Sequence, residues 1–540
     1  GPLMLTMHGF GTGTHSDHAV GVASKTAVSG LSGIWYQWLW LFVSPFYWLI
    51  GPMMRRFRAV TTADVYATRY DRSVAMLFAV FGAIQMITVI GLTLVASTKV
   101  LGPSLPEVPP NAIIISMAVL FVVYGMAGGL SGAIITDFVQ GILSIVFSFL
   151  LLPWVLNAAG GLHNVRETLS LAVTDKDMFS LVAPGEIGVF YIVMLALNAL
   201  VGIVAQPHIM GNCAAGRTEM DGRIGITAGN FLKRFCTVAW CLTGIAAVAY
   251  YLSSGGIDAP VTKEEGDMLY GMVARDFLPV GLLGLFLASL LALVMGSCDS
   301  FMIASSALLT ENVYKQINRK ASDRHYLWVG RIMALLVVCI GVLYALWLRP
   351  KGVVKGLEIF WKIAAMTAVA FWIGLFWRRA TVIAAWASTF VALFVWWLTT
   401  RTFFLEWLAG LPSVGGLPWV NYETVNGALR INIYQPWQML FYLSAAAATC
   451  IVVSLFTPPV SKEKLDRFYV LVRTPVKKAE PSPDVPCTLP EGIKPAPRRV
   501  LIPIKGLEVP VPSALSIIGF IACWAAVAAL IGVFYWIAAA

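Results

Sequence analysis

The stretch PLMLTMHGFGTGTHSDHAVGVASK, residues 2–25, decides the fold because its centre is poorly suited to an unbroken helix. Gly9, Gly11 and Gly13 fall within five residues, and each glycine weakens a helix by roughly 1 kcal/mol relative to alanine. Broken backbone at membrane depth is tolerated where it lines a cavity, and its freed carbonyls can bind a cation. Close helix packing through small residues explains the same spacing, so both interpretations stay open on the glycines alone.

The composition of the whole chain is that of a membrane protein. Of its 540 residues 58% are hydrophobic and only 12% are charged, whereas soluble proteins carry about a quarter charged residues. Long stretches have no charge, and a membrane-spanning helix takes about 20 apolar residues. The sequence therefore predicts an all-α polytopic membrane protein with thirteen spans, near 2–28, 32–54, 73–101, 110–127, 130–158, 186–210, 227–253, 278–314, 326–348, 354–377, 380–400, 436–457 and 513–538.

The net charge of +10 reports topology, because the basic residues concentrate in alternate loops. More than half of the 38 Lys and Arg residues lie on one side, and basic loops mark the cytoplasmic face. We therefore expect no nucleic-acid partner and a multi-pass protein of the cell inner (plasma) membrane. The segments predicted to be cytoplasmic are 55–72, 211–226, 315–325 and 458–512. The last of these is rich in Pro and Lys and reads as a disordered or loosely packed linker.

A polar cluster follows the glycines at once, in His15, Asp17 and His18. Two histidines at i and i+3 share one helix face and can bind a metal ion together with an acid. The chain has only six histidines, too few for the several His boxes of a membrane di-iron enzyme, and we expect no enzyme activity. Two further interpretations stay open, a polar lining of a substrate cavity and a set of satisfied polar residues.

Other charges inside predicted spans are functional candidates, because a charge within the bilayer is costly. Asp137 opens the fifth span, where it fits both a carboxylate near a helix N-terminus and a functional acid. Asp299 lies within the eighth span next to serine hydroxyls, which can complete an oxygen site for a hard cation but more often serve packing. Glu358 and Lys362 are spaced as an i,i+4 ion pair, which is structural or serves as a relay.

Three motifs give these residues a family context. RAVTTADVYATRYDRS (58–73), YGMAGGLSGAIITDFVQ (124–140) and MGSCDSFMIASSALLTENVYK (295–315) resemble, in order and spacing, motifs of the sodium/solute symporter family. The second motif matches the family signature at Tyr124, Gly128, Gly129, Leu130, Thr136, Asp137 and Gln140, and the third has Asn312 where the family has an acid. The resemblance extends to about residue 457.

This resemblance implies the LeuT-type fold, with two inverted five-helix repeats and broken first and sixth helices. The transport core would cover 1–378, with helices 1–5 over about 1–160 and helices 6–10 over about 184–378. Two accessory helices with an external loop would occupy 379–457. The linker would follow at 458–512, and a last helix would span 513–540. The family usually has one helix before the broken one, so the sequence is either truncated or belongs to a member without that helix.

The function implied by the resemblance is Na⁺-coupled import of a small polar solute, a sugar or polyol, an amino acid or a carboxylate. The alternatives are a proton-coupled or passive carrier and a transporter-like sensor. The protein would act as a monomer or homodimer. Carried over by position, the sodium-binding residues would be Gly11, Thr14, Leu293, Gly296 and Ser297. Gly296 departs from the family, which has two adjacent hydroxyl residues there, and Asp137 would serve ion passage to the cytoplasm.

Substrate-binding positions carry over less completely. Gly13, His18, Gln37, Ala205 and Lys233 match binding positions of sugar transporters, but Gly13 and Ala205 have no side chain that can hydrogen-bond. We expect a substrate cavity lined by Asp17, His18, Gln37, Gln206, His208 and Lys233, with Trp35 and Trp38 shaping it.

Overall fold

The computed structural model describes residues 1–183, 186–425, 428–477, 480–481, 483 and 485–539, without the side chains of 124, 126–137, 423–425 and 428. The first half contains helices α1 (Pro2–Gly13), α2 (Ser16–Ser29), α3 (Trp35–Trp38), α4 (Ser44–Arg56), α5 (Thr62–Arg69), α6 (Arg72–Leu101), α7 (Pro110–Phe149), α8 (Leu152–Ala158), α9 (Gly161–Ala172), α10 (Val189–Gly202), α11 (Pro207–Ala214), α12 (Glu219–Ser253) and α13 (Lys263–Phe277).

The second half continues with helices and one antiparallel hairpin. They are α14 (Val280–Ala307), α15 (Lys315–Ile317), α16 (Asp323–Leu348), α17 (Val353–Phe376), α18 (Val382–Leu398), α19 (Thr402–Ala409), β1 (Val420–Val425), β2 (Ala428–Ile433), α20 (Gln435–Phe456), α21 (Lys462–Arg473) and α22 (Ala514–Ala539). Short 3-10 turns occupy Gly30–Ile34, Gly102–Ser104, Ile203–Ala205 and Arg349–Lys351, and a π-helix follows α14 at Leu308–Tyr314.

The all-α membrane architecture is confirmed, but the number of thirteen spans is not. Within the described residues eight helices are long and apolar enough to cross a membrane, or ten if each of two bent helix pairs is one span. The first predicted span is divided into α1 and α2, and the second, 32–54, into a 3-10 turn, α3 and α4, so that no single piece is long enough. The predicted boundary between the fourth and fifth spans, Gly128–Gly129, lies within α7 but outside the described side chains.

The first helix is broken immediately after its glycines. Gly9, Gly11 and Gly13 are all helical, whereas Thr14 and His15 are extended, with φ of −117° at both residues. The break is held by a cap in which the backbone N–H of His15 donates to Nδ1 of His18 at 3.2 Å. The expected broken helix is therefore present, two residues further along the chain than the glycine run suggested.

The sixth span is broken in the same manner. α10 ends in a 3-10 turn at Ile203–Ala205, Gln206 is extended, and α11 begins at Pro207 with a bend of 62° between the two helices. Proline suits this first helical position because its missing N–H has no partner there. Breaks in the first and sixth spans are the arrangement that the LeuT-type fold requires.

Helix α12 lies alongside both halves of the broken first helix and aligns them. A Cβ atom at Gly229 would lie 2.9 Å from the carbonyl oxygen of Thr6 in α1, and one at Gly244 would lie 2.8 Å from Cα of Ala23 in α2. Glycines here let the backbones approach closely, as small residues commonly do between membrane helices. The faces of α1 and α2 that turn away from α12 pack against α6, α7 and α14.

The expectation of a disordered or loosely packed linker at 458–512 is wrong for helix α21 and for the residues of this segment that contact the core. We call this segment the strap. Its helix α21 buries Leu465, Phe468 and Tyr469, and the carboxylate of Glu480 pairs at 2.5 Å with the buried guanidinium of Arg58. Further along, the backbone N–H of Glu508 donates to the carbonyl of Phe376 at 2.8 Å. The strap thus packs across the ends of α4 and α17.

Candidate solute and ion site

The break in the first helix carries a buried polar cluster. His15, Asp17 and His18 are exposed by 3%, 1% and 4% respectively. Nδ1 of His15 lies 3.3 Å from one carboxylate oxygen of Asp17, and Nε2 of His18 lies 3.7 Å from the other. The two imidazole rings stack with centroids 4.4 Å apart. The three side chains that the sequence placed together are therefore in contact.

The hydrogen bonds of the two histidines fix where their protons lie. Nε2 of His15 is 3.1 Å from the carbonyl oxygen of Thr12, which can only accept, so this nitrogen carries the hydrogen. Nδ1 of His18 accepts from a backbone N–H, so in the neutral ring Nε2 of His18 carries the hydrogen. When both rings are neutral, the free lone pair in the cluster is that of His15 Nδ1.

This tautomer assignment bears on the metal-site interpretation. The candidate ligand atoms of the three residues lie within 4.8 Å of one another. A protonated Nε2 cannot coordinate a metal, so His18 does not fit as a ligand in this arrangement. Nor is the cluster fully hydrogen-bonded, because His15 Nδ1 and Asp17 Oδ2 have no hydrogen-bond partner among the described residues.

Residues of three other spans close over the cluster. The hydroxyl of Thr93 in α6 donates to Asp17 Oδ1 at 3.1 Å. The ring of Phe301 in α14 meets the edge of His15 at 5.2 Å and that of His208 in α11 at 4.8 Å, measured between centroids. Elements of the third, sixth and eighth spans therefore meet at the break in the first helix.

Helix α12 supplies the opposite wall. The ammonium of Lys233 donates to the carbonyl oxygen of Gly13, the last residue of α1. Seven residues further along, on the same face of α12, the indole of Trp240 stacks against His18 with centroids 6.5 Å apart. The indole N–H of Trp240 is buried and has no acceptor within the described part of the chain.

Gln37 lies beside this wall. Its backbone carbonyl accepts from the guanidinium of Arg234, and its side-chain carbonyl lies 3.4 Å from the same group. Because arginine only donates, this contact orients the amide of Gln37 and leaves its NH₂ group without a partner among the described atoms. The indole N–H of neighbouring Trp38 donates to the carbonyl of Arg234 at 3.1 Å.

The break in the sixth span holds the remaining predicted cavity residues. Gln206 is 3% exposed, and its amide nitrogen has no hydrogen-bond partner in the described structure. Nδ1 of His208 is buried without a partner among the same residues. Ala205 is buried in the turn before the break. Trp35 turns away from this region, because its indole N–H donates to the carbonyl of Leu181 at 2.7 Å.

The carried-over sodium positions lie on two packed helices, α1 with its break and α14. The backbone N–H of Thr14 donates to the carbonyl of Gly11 at 3.3 Å, while the buried hydroxyl of Thr14 has no partner among the described groups. On α14, the buried hydroxyl of Ser297 donates to the carbonyl of Leu293 at 2.5 Å, which leaves its lone pairs available to a cation. Gly296 is buried and adds no hydroxyl.

Two further candidates need separate mention. The side chain of Asp137 lies outside the described residues, so its role stays a prediction. Glu358 pairs with Lys355 at 3.3 Å and accepts from the hydroxyl of Tyr36 at 3.2 Å, whereas the expected partner was Lys362. Lys362, which is 6% exposed, makes no ion-pair contact with Glu358 among the described residues, but the two charges do interact.

Four residues of this site were missed by sequence reasoning, namely Thr93, Phe301, Trp240 and Arg234. The signal for Arg234 was present, because it adjoins Lys233 at the start of an apolar run and a charge there is costly. The other three look like ordinary membrane residues, and only the packing of spans distant in sequence brings them to the break.

Comparison with protein-family models matches residues 1–392 to the sodium:solute symporter family. The chain belongs to this family. Its curated relatives include the sodium/myo-inositol cotransporter 2 of Oryctolagus cuniculus, which is 22% identical over 84% of this chain and 71% of that protein. The osmoregulated proline transporter OpuE of Bacillus subtilis is 26% identical over 84% of this chain and 86% of that protein.

The fold is confirmed by a solved structure of another symporter. A Na⁺-coupled sialic acid symporter, in a substrate-bound outward-open state, superimposes with a TM-score of 0.67 at 15% identity. The superposition covers 85% of this chain and 90% of that one. This member of the sodium:solute symporter family therefore has the LeuT-type fold with broken first and sixth helices.

Proposed function

We propose that this symporter is a secondary-active transporter that imports a small polar solute together with Na⁺ by alternating access. The observation that carries the proposal is the pair of broken helices, whose breaks meet at buried polar atoms without hydrogen-bond partners among the described residues. Such breaks supply backbone and side-chain groups to bind solute and ion at mid-membrane.

Sodium would bind between the first break and α14. Na⁺ is a hard cation that prefers carbonyl and hydroxyl oxygens. The hydroxyls of Thr14 and Ser297 and the carbonyls of Gly11, Leu293 and Gly296 are such groups, and α1 packs against α14. Asp137 would serve the passage of the ion, as the family resemblance implies.

The solute would contact the groups around the cluster, namely Asp17, His18, Gln37, Gln206, His208 and Lys233. All six are in the described structure, and Asp17, His18, Gln37 and Gln206 are at most 4% exposed. Polar groups at these positions require hydrogen bonds in a nonpolar surrounding, and a polar solute can supply them.

A proton-coupled or passive carrier is the second candidate. The observation in its favour is Gly296, which removes one of the two adjacent hydroxyls that the family resemblance calls for. A transporter-like sensor is the third, since the strap could contact a partner protein. The proposed setting is the inner (plasma) membrane, with 55–72, 211–226, 315–325 and the strap in the cytoplasm, as a monomer or homodimer.

Replacing Ser297 by alanine tests the sodium site. We expect Ser297→Ala to raise the Na⁺ concentration for half-maximal uptake by about tenfold, since it removes a ligand oxygen whose charge-assisted contact stabilises the ion. Uptake would be measured in proteoliposomes of the full chain, with Na⁺ exchanged for K⁺ and with a panel of sugars, polyols, amino acids and carboxylates.

The matched control is Ser289→Ala, two turns earlier on α14. Ser289 is also buried, and its hydroxyl donates to the carbonyl of Leu285 at 2.8 Å, so both changes remove the same i−4 hydrogen bond. We expect Ser289→Ala to leave the Na⁺ dependence unchanged. Uptake indifferent to both Na⁺ and Ser297 would instead favour the proton-coupled or passive carrier, and solute binding without uptake would favour the sensor.

A further inference from the structure

In the cluster at the first break, two hydrogen-bond acceptors of His15 and Asp17 lie side by side. Nδ1 of a neutral His15 carries a lone pair, because its Nε2 donates to Thr12, and it lies 3.3 Å from a carboxylate oxygen of Asp17. The second carboxylate oxygen of Asp17 has no hydrogen bond in the described structure. A buried carboxylate and a lone pair at this distance require a hydrogen-bond donor between or beside them.

The opposite wall presents donors. The ammonium of Lys233, the indole N–H of Trp240 and the NH₂ group of Gln37 lie on the α12 side of the break. The last two have no acceptor among the described residues, and the hydrogen bond of Lys233 goes to a neutral carbonyl, while its charge also acts on Asp17. This side therefore suits an anionic group, which accepts several hydrogen bonds at once.

We propose that the solute is a zwitterionic amino acid, with its ammonium at Asp17 and His15 and its carboxylate toward Lys233, Trp240 and Gln37. This inference rests on the proposed transport function and narrows its solute class. The three N–H groups of an ammonium match the acceptors of one wall, and the carboxylate oxygens match the donors of the other. A polyol would supply only neutral hydroxyls to both walls, and a simple carboxylate would leave both acceptors unpaired.

Matched ligands test both halves of the proposal. Na⁺-dependent uptake of the twenty common amino acids would be measured with the full chain in proteoliposomes, beside myo-inositol, D-glucose and L-lactate. For the best amino acid, the hydroxy acid that replaces its ammonium by OH and the amide that replaces its carboxylate would then be compared. We expect each replacement to raise the solute concentration for half-maximal uptake by about tenfold or more, which is the effect of losing a charged hydrogen bond.

Two variants show which side of the site causes each loss of affinity. In Asp17→Asn the ratio of the half-saturation concentrations of the hydroxy acid and the amino acid should fall toward one. In Lys233→Met the corresponding ratio of the amide and the amino acid should fall toward one. These ratios compare two ligands on one variant, so a merely structural defect does not move them. The control is Asp267→Asn, a buried aspartate of α13 that accepts from the backbone N–H of Val353 at 3.0 Å, and it should preserve both ratios.

The outcomes separate this inference from the proposed function. Na⁺-driven uptake of myo-inositol, D-glucose or L-lactate with none of the amino acids would overturn the zwitterion and leave the symporter standing. Equal uptake of the amino acid and its hydroxy acid would show that a proton on the His15–Asp17 pair, or Na⁺ itself, supplies the positive charge, and would also overturn it. If no solute enters the proteoliposomes under any ion gradient, the proposed transport function is wrong, and the zwitterion falls with it. Should Asp17→Asn not fold, the ligand series on the unchanged protein decides alone.

Discussion

Asp17 shows what a single charged residue needs inside this fold. It is 1% exposed, and its hydrogen bond in the described structure comes from the hydroxyl of Thr93. An ionised carboxylate can accept about four hydrogen bonds, so this one contact compensates only part of its desolvation. Thr93 therefore contributes to stability and also orients the carboxylate toward the break.

Thr93→Val tests that contact, because valine keeps the shape and removes the hydroxyl. We expect the free energy of unfolding to fall by about 1.5–3 kcal/mol, the range for hydrogen bonds to charged groups, and solute affinity to fall with it. Thermal unfolding and solute half-saturation would be measured. Thr88→Val is the control on the same helix, since the hydroxyl of Thr88 makes a local hydrogen bond to the carbonyl of Ile84 at 2.8 Å.

At this scale the sequence predicted the residues but not their pairing. Asp17, His18 and Lys233 stand out because charges and imidazoles are rare in apolar spans. Their partners Thr93 and Gly13, and the tautomer of His15, depend on hydrogen bonds that form only when the spans pack. No one-dimensional pattern carries that information, and the side chain of Asp137 stays a prediction.

At the scale of elements, the first helix breaks at the residues where a new N-terminal cap replaces the continuing helix. The glycines predicted the break but are themselves helical. A Cβ atom at Gly9 would collide with the side chain of Asn212 in α11, whereas one at Gly13 would meet no atom within 4 Å. The chain leaves the helix at Thr14 and His15, where His18 caps the next helix. Close packing therefore applies at Gly9, and the broken backbone follows at Thr14 and His15.

Gly244→Ala tests the contact between α12 and α2. Its Cβ would lie 2.8 Å from the backbone of Ala23, so one of the two helices must shift, and we expect a loss of about 1–3 kcal/mol of stability. The measurement is thermal unfolding with and without Na⁺. Gly211→Ala is the control, because a Cβ there meets no atom within 4 Å, and alanine should be neutral or slightly stabilising in α11. An unchanged unfolding temperature for Gly244→Ala would show that these helices are not in close contact.

On the scale of the whole molecule, the strap joins elements that are distant in sequence. Its Pro and Lys content predicted disorder, but α21 carries Leu465, Phe468, Tyr469 and Val472 at the i, i+3, i+4, i+7 spacing of an amphipathic helix, and all four are buried. This pattern is readable in the sequence and was outweighed by the composition around it. The burial of Arg58 and Glu480, by contrast, depends on where the strap crosses α4, which no local pattern shows.

The Arg58–Glu480 pair gives the strap a measurable contribution to stability. Burial raises the pKa of Glu480, but hydrogen bonds from Arg58 and the charge of that guanidinium outweigh it and hold the pKa below its ordinary value. A carboxylate whose folded-state pKa is depressed stabilises the fold above its unfolded-state pKa of about 4.3, and this stability is lost as the pH falls through the folded-state value. We therefore expect a loss of stability below about pH 4 that depends on Glu480.

Glu480→Gln should lower the free energy of unfolding by about 3 kcal/mol at neutral pH, because it leaves the buried charge of Arg58 with carbonyl partners alone. The variant should also lose the part of the acid sensitivity that Glu480 causes, so the two unfolding temperatures should converge as the pH falls from about 5 to 3. Glu311→Gln is the control, since its pair with Lys315 is solvent-exposed and is worth at most about 0.5 kcal/mol. Parallel unfolding curves for wild type and Glu480→Gln across this pH range would contradict the ion pair. A loss of stability in Glu480→Gln but not in Glu311→Gln would mean that the strap is an integral part of the transporter's folded core. An ion pair on a loose segment would be screened by solvent, as the pair of Glu311 is.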